Sequence, residues 1–158
     1  MKQLIALITC LFTLSIGFAQ NCETVSLKTD EEAKAAEPCV IKAADYALSK
    51  PLHNSDVLVS SYRQFIIAWM TKTPDYSFTI TSKVADLCKD DANVLLFGIY
   101  NTCMAKAALQ NKSDFGKEGI KLLVDYIKKK DNGVAQTAKV KKLLADYEKG
   151  DVKKYYEQ

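Results

Sequence analysis

Between Asp56 and Lys72, apolar side chains recur three and four residues apart: Val57, Leu58, Tyr62, Phe65, Ile66, Trp69 and Met70. That spacing is the repeat of an α-helix with one face in a core, whereas a half-buried strand needs a repeat of two. The same signature returns along the chain. Val40, Ala43, Ala44, Ala47 and Leu48 mark a helix over Glu37–Ser49, with Pro38 in its first turn and Pro51 beyond its end. Asp30–Ala36 opens the series, and Asn54 or Ser55 can cap the helix that follows the 50–55 loop. Ser82–Lys89 reads as a short helix. Ala92–Asn111 reads as a long one, with Leu95, Leu96, Ile99, Cys103, Ala107 and Leu109 near one side. A helix capped by Ser113 or Asp114 runs to Lys130, and helices over 134–148 and 151–157 close the chain. Tyr76, Phe78 and Ile80 alternate but have no evident partner strand, so the stretch after Thr73-Pro74-Asp75 reads as an extended connector or a helix entry. The expectation is one all-α domain of about six or seven helices packed as antiparallel hairpins, with a degenerate helical repeat as a variant. Lys121–Tyr126 and Lys142–Tyr147 are near copies, which two amphipathic helices facing one core would produce.

Residues 1–19 have the form of a secretory signal peptide. Lys2 precedes an uncharged stretch from Gln3 to Phe18, and Gly17-Phe18-Ala19 supplies small residues where a signal peptidase tests them. Cleavage is expected between Ala19 and Gln20. Cys22 lies near that cut, but Gln20 and Asn21 are too large and polar for a lipoprotein site. The stretch is short for a membrane span of ~20 residues, and no second apolar run of that length follows. The expected setting is therefore the periplasm or the extracellular medium, with no transmembrane segment after the signal is removed.

Beyond that point the charge is small and uneven. Residues 20–111 carry nine basic and eleven acidic side chains, and residues 112–158 carry twelve and eight, giving −2 and +4. Every cation there except Arg63 is a lysine, which argues against nucleic acid, where the planar Arg fork dominates phosphate and base recognition. Four cysteines follow the signal: Cys22, Cys39, Cys88 and Cys103. An even number in an exported chain points to disulfides. Cys22–Cys39 with Cys88–Cys103 closes the shortest loops. Against it, a turn near residues 89–92 would leave Cys103 about 15 Å further along its helix. Cys39–Cys103 with Cys22–Cys88 is then the competing arrangement. No C-x-x-C pair is present, so a zinc site is not expected, and no cofactor is.

Sequence motifs for catalysis are missing: there is no H-E-x-x-H, no G-x-S-x-G, no phosphate-binding loop and no alternating-acid calcium loop. The single histidine, His53, falls in a Pro-bounded loop. Asp90-Asp91 and Glu31-Glu32 stand where helices begin, which suits the helix dipole better than acid–base chemistry. Arg63 lies mid-helix, one step from the apolar face, and a desolvated Arg needs a carboxylate; Asp45 and Asp75 are the candidates for an ion pair. The rings of Tyr62, Phe65 and Trp69, with Tyr76 and Phe78, read first as core, while Trp69, Tyr76 and Phe78 could also line a ligand or partner surface. Lys128-Lys129-Lys130 suits the negative end of a helix.

The run Trp69-Met70-Thr71-Lys72-Thr73-Pro74-Asp75-Tyr76-Ser77-Phe78, preceded by Leu48-Ser49-Lys50-Pro51, resembles small exported helical proteins of Bacteroidetes bacteria. The signal ending Phe18-Ala19-Gln20 looks like that group as well. The resemblance implies an all-helical fold and a bacterial envelope setting. It brings no activity and no site residue. The functional expectation is thus a non-enzymatic exported protein that binds another envelope or secreted protein. A small-ligand binder with an aromatic pocket near Trp69, Tyr76 and Phe78 is the second reading, and an enzyme with a carboxylate site the third.

Overall fold

A computed structural model describes Cys22 and residues 25–89, 91–110 and 113–157. The expected cleavage at Ala19 and Gln20 lies outside these residues. Among them the chain forms seven α-helices and no strand: α1 Asp30–Ala35, α2 Glu37–Ser49, α3 Val57–Lys72, α4 Ser82–Leu87, α5 Leu96–Gln110, α6 Phe115–Lys128 and α7 Ala138–Glu148. Single 3-10 turns occupy Asp91–Asn93 and Lys153–Tyr155. None of these helices is long and apolar enough to cross a membrane.

The helix starts follow from local chemistry. At α1, Thr29 accepts from the Glu32 N–H while the Glu32 carboxylate reaches back to the Thr29 N–H, a reciprocal capping box. The cap of α3 is Asp56 rather than Asn54 or Ser55. Its Oδ1 accepts from the Leu58 N–H at 2.9 Å, and Asn54 instead accepts from the Asp56 N–H at 2.8 Å. The other Asp56 oxygen accepts from the Tyr46 hydroxyl at 2.6 Å, which ties α2 to the start of α3. Thr81 and Thr137 cap α4 and α7 in the same way.

Helix α5 is the centre of the molecule. It packs on α2, α3 and α6, and its buried residues run all round it, from Leu96, Ile99 and Tyr100 to Cys103, Met104, Ala107 and Ala108. A helix apolar on every side is one surrounded by protein. On one flank, α6 and α7 close a cluster built on Leu52, Ile120, Leu123, Ile127 and Leu143. On the other, the alanines of α1 and α2 meet Ile66 and Trp69 of α3. Small side chains let these helix axes approach closely. The connector 73–81 bends at Pro74 and Asp75 and joins neither a helix nor a strand, and the Tyr100 hydroxyl holds it by donating to the Thr79 carbonyl at 3.0 Å.

Several helix boundaries differ from the sequence reading, and the shifts at α5, α6 and α7 go with hydrogen bonds that claim a backbone or side-chain group. The helix expected from Ala92 begins at Leu96, after the 3-10 turn. Asn93 is fully buried and exchanges two hydrogen bonds with the backbone of Ala135, at 3.0 and 3.1 Å. That pairing also holds 134–136 out of α7. The helix expected to reach Lys130 stops at Lys128, where Asp131 (φ 69°) and Gly133 (φ 72°) turn the chain and the Asn132 amide donates to the Tyr126 carbonyl. The last predicted helix is only the turn Lys153–Tyr155.

Candidate functional site

Of the cysteines, Cys22 and Cys39 form a disulfide with their Cα atoms 5.5 Å apart. Cys88 and Cys103 are not bonded to one another. The first expected arrangement is therefore half realised, and the second is excluded because Cys39 is taken by Cys22. Cys88 closes α4, whereas Cys103 lies two turns into α5 inside the core, as the helical rise anticipates. Burial pushes the Cys88 thiol up to about 11 and the Cys103 thiol higher still. Thiols so far from ionisation are poor nucleophiles.

The ion pairs expected for Arg63 do not form. Asp45 is bound by Lys106 at 2.6 Å, and Asp75 by Lys34 at 3.3 Å. Both acids are exposed, whereas Arg63 is buried. Arg63 is 9% exposed, and its one hydrogen bond runs from Nη1 to the Leu52 carbonyl at 3.5 Å. Among the described residues the Nε and Nη2 donors have no acceptor. Burial lowers the guanidinium pKa from its ordinary value.

Trp69, Tyr76 and Phe78 come together, but as packing. Trp69 is fully buried and donates Nε1–H to the Ala33 carbonyl at 2.9 Å. Its ring lies 5.8 Å from Tyr76 and 6.0 Å from Phe78, and Phe115 of α6 closes against both of those. Offset and tilted rings at these distances are a favourable aromatic cluster. No face of Trp69 is left for a ligand. Glu31 and Glu32 belong to the first turn of α1, and hydrogen bonds from Ser26 and the Lys28 N–H hold Glu32 below the usual carboxylate range. His53 is exposed on its loop.

Among several surface hollows, two differ most in their chemistry. The larger, about 490 Å³, lies between the start of α6 and the end of α7, with Asp114, Lys117, Glu118, Lys121 and Tyr147 on its walls. Much of its charge is already paired: Lys121 bridges Glu118 at 3.5 Å and Asp125 at 3.2 Å. Such a surface is well solvated and has little to gain from a partner.

The second, about 250 Å³, is a shallow groove between α3 and the approach to α5, and its chemistry is different. Ser60, Arg63, Gln64 and Ile67 form one wall, and Val94, Leu95, Phe97 and Gly98 the other. The α3 residues are spaced three and four apart, so they share a face. Ile67 is 36%, Val94 55% and Leu95 42% exposed. With Val57 and Ile80 these are the exposed large apolar side chains among the described residues, and three of the five converge here. Isolated exposed apolar residues are ordinary, whereas a cluster of them marks a binding surface. Sequence periodicity missed it by placing Leu95 on the buried side of a helix from Ala92. The late start of α5 turns Val94 and Leu95 outward instead. Gly98 keeps the floor low, since a Cβ there would lie 3.2 Å from Arg63 Cδ. We take this groove as the candidate site. No protein-family model, curated protein or solved structure matches the chain.

Proposed function

We propose that the protein is an exported, non-enzymatic binding module of the bacterial envelope that docks another envelope or secreted protein on the groove between α3 and α5. The convergence of Ile67, Val94 and Leu95 on one hollow carries this reading, because covering that surface removes apolar area from water. The Cys22–Cys39 disulfide supports the oxidising compartment that the signal sequence implies. The likeness to exported helical proteins of Bacteroidetes fits the same setting.

The test is a photo-cross-linking residue at Leu95, with a second one at exposed Lys149, just past the end of α7, as control. Cross-links are formed in the intact envelope without reductant. A discrete adduct from position 95, absent from position 149 and lost on Val94→Lys, is the expected result. Equal labelling from both positions would overturn the reading.

A further inference from the structure

The groove combines apolar walls with a cation that lacks a counter-charge. Ile67, Val94, Leu95 and Phe97 supply apolar contacts, and none of the residues lining the hollow is a carboxylate. Arg63 is more than nine-tenths buried, with two of its donor nitrogens unpartnered among the described residues. A buried cation in that condition is costly, and the cost is relieved when an acceptor arrives. The acids nearest along the chain are engaged elsewhere: Asp56 caps α3 and accepts from Tyr46, and Asp75 and Asp45 are held by Lys34 and Lys106. The head itself is weakly held, by one 3.5 Å contact to the Leu52 carbonyl. Its stem packs against Gly98, and both residues line the hollow, so bringing the buried head to the groove breaks only that one long contact.

Resting on the docking reading above, we infer that the groove takes a partner segment in which an Asp or Glu side chain is flanked by aliphatic residues, with Arg63 turning out to pair with the carboxylate. Ser60 and Ile67, at the two ends of the α3 row, are both exposed, so a segment can enter at one end and leave at the other. That favours an internal stretch of a partner over a chain end. The row from Ser60 to Ile67 spans about 10 Å along the helix, matching about three residues of extended peptide. Exposed Ser60 and Gln64 are placed to meet the amides of such a segment. Charge-assisted bonds from guanidinium to carboxylate are the strong, geometrically selective kind.

The experiment selects binders from a phage-displayed random dodecapeptide library on the oxidised protein, counter-selected against Leu95→Lys. Selected sequences are remade as labelled, C-terminally amidated peptides and titrated by fluorescence anisotropy. The expected outcome is a family of groove-dependent peptides carrying Asp or Glu among Leu, Ile or Val. Changing that acid to its amide weakens binding at least tenfold on the native protein, and Arg63→Gln removes the difference. The acid-to-amide comparison needs no altered protein, so it decides the matter even if Arg63→Gln fails to fold. Groove-dependent binders without an acid, or with an acid whose amide binds as well, overturn the Arg63 pairing and leave the docking reading intact. A library that yields no groove-dependent binder also overturns the inference, while the cross-linking from position 95 decides the docking reading separately.

Discussion

Gly119 of α6 lies against Met104 of α5 so closely that a Cβ on the glycine would fall 2.4 Å from the methionine sulfur and 3.3 Å from its Cα. The sulfur end of Met104 could move, but its backbone belongs to the central helix. Gly119→Ala must therefore push α6 away from α5. Overpacking of this kind costs about 1–3 kcal/mol, which outweighs the ~1 kcal/mol that alanine gains over glycine in a helix. Urea unfolding should give a lower midpoint for Gly119→Ala; an unchanged or higher midpoint would show that the two helices have slack.

Trp69 is the only tryptophan and is fully buried, so its fluorescence reports directly on the α1–α3 contact. Folded protein should emit at short wavelength and shift red on unfolding. Trp69→Phe loses the Nε1–H bond to Ala33, about 1 kcal/mol, together with part of the ring that fills the space beside Tyr76 and Phe78. Trp69→Ala should cost about 3–5 kcal/mol. Calorimetry of the two variants should rank them in that order.

The Cys22–Cys39 bridge closes a loop across a separation of 17 residues. In the chain-entropy picture that contributes about 3 kcal/mol. Chemical unfolding with and without reductant measures it. In a chain beginning at Gln20, two further thiols, Cys88 and Cys103, should react with Ellman's reagent only slowly at pH 8 until the protein unfolds, because burial keeps both protonated. Rapid reaction of both thiols in the folded state would contradict the burial of Cys103.

Asp146 is buried near the C-terminal turn. Its burial opposes the charged form, but hydrogen bonds from Lys154 and the Tyr155 hydroxyl outweigh that and hold the carboxyl below its ordinary value. A carboxyl whose pKa is depressed on folding stabilises fully above the ordinary carboxylate range and loses that contribution as pH falls through its lower folded value. Asp146→Asn should therefore cost about 1–3 kcal/mol at pH 7, with the difference shrinking in acid. Urea midpoints of both proteins at pH 7 and pH 3 give the comparison.

Arg63→Met removes an unpaired buried cation and keeps a flexible stem against Gly98. Replacing buried charge by an apolar side chain of similar reach is often stabilising by about 1–4 kcal/mol. The variant should unfold at higher denaturant concentration. A lower midpoint would mean that the single contact to Leu52 supports the 50–53 loop more than the unpaired charge strains it.

Much of the helical plan was legible because it is written in local terms. Pro38 and Pro51 bracket α2, the three-and-four spacing marks α3, and Thr73-Pro74-Asp75 ends it ahead of a connector that joins no strand among the described residues. Each signal depends on residues within a turn or two of one another, where backbone sterics and side-chain periodicity act directly. The candidate groove was not legible. Its exposure depends on where α5 begins, and that is set by Asn93 bonding to Ala135, 42 residues away. The partners of Arg63 were misjudged for a related reason: nearness along the chain says little about which face an acid turns to, and Lys106 and Lys34 claimed Asp45 and Asp75 first.

The sequence by itself thus determined the helical class, most of the helix positions and the residues available for the core, since these follow from propensity, capping and period. Only the tertiary structure decided that Cys39 bonds Cys22, that Trp69, Tyr76 and Phe78 close on Phe115 rather than on a ligand, and that Ile67, Val94 and Leu95 meet around Arg63. Those outcomes turn on long-range contacts among helices, and a contact between distant residues leaves no periodic trace in either of the segments that make it.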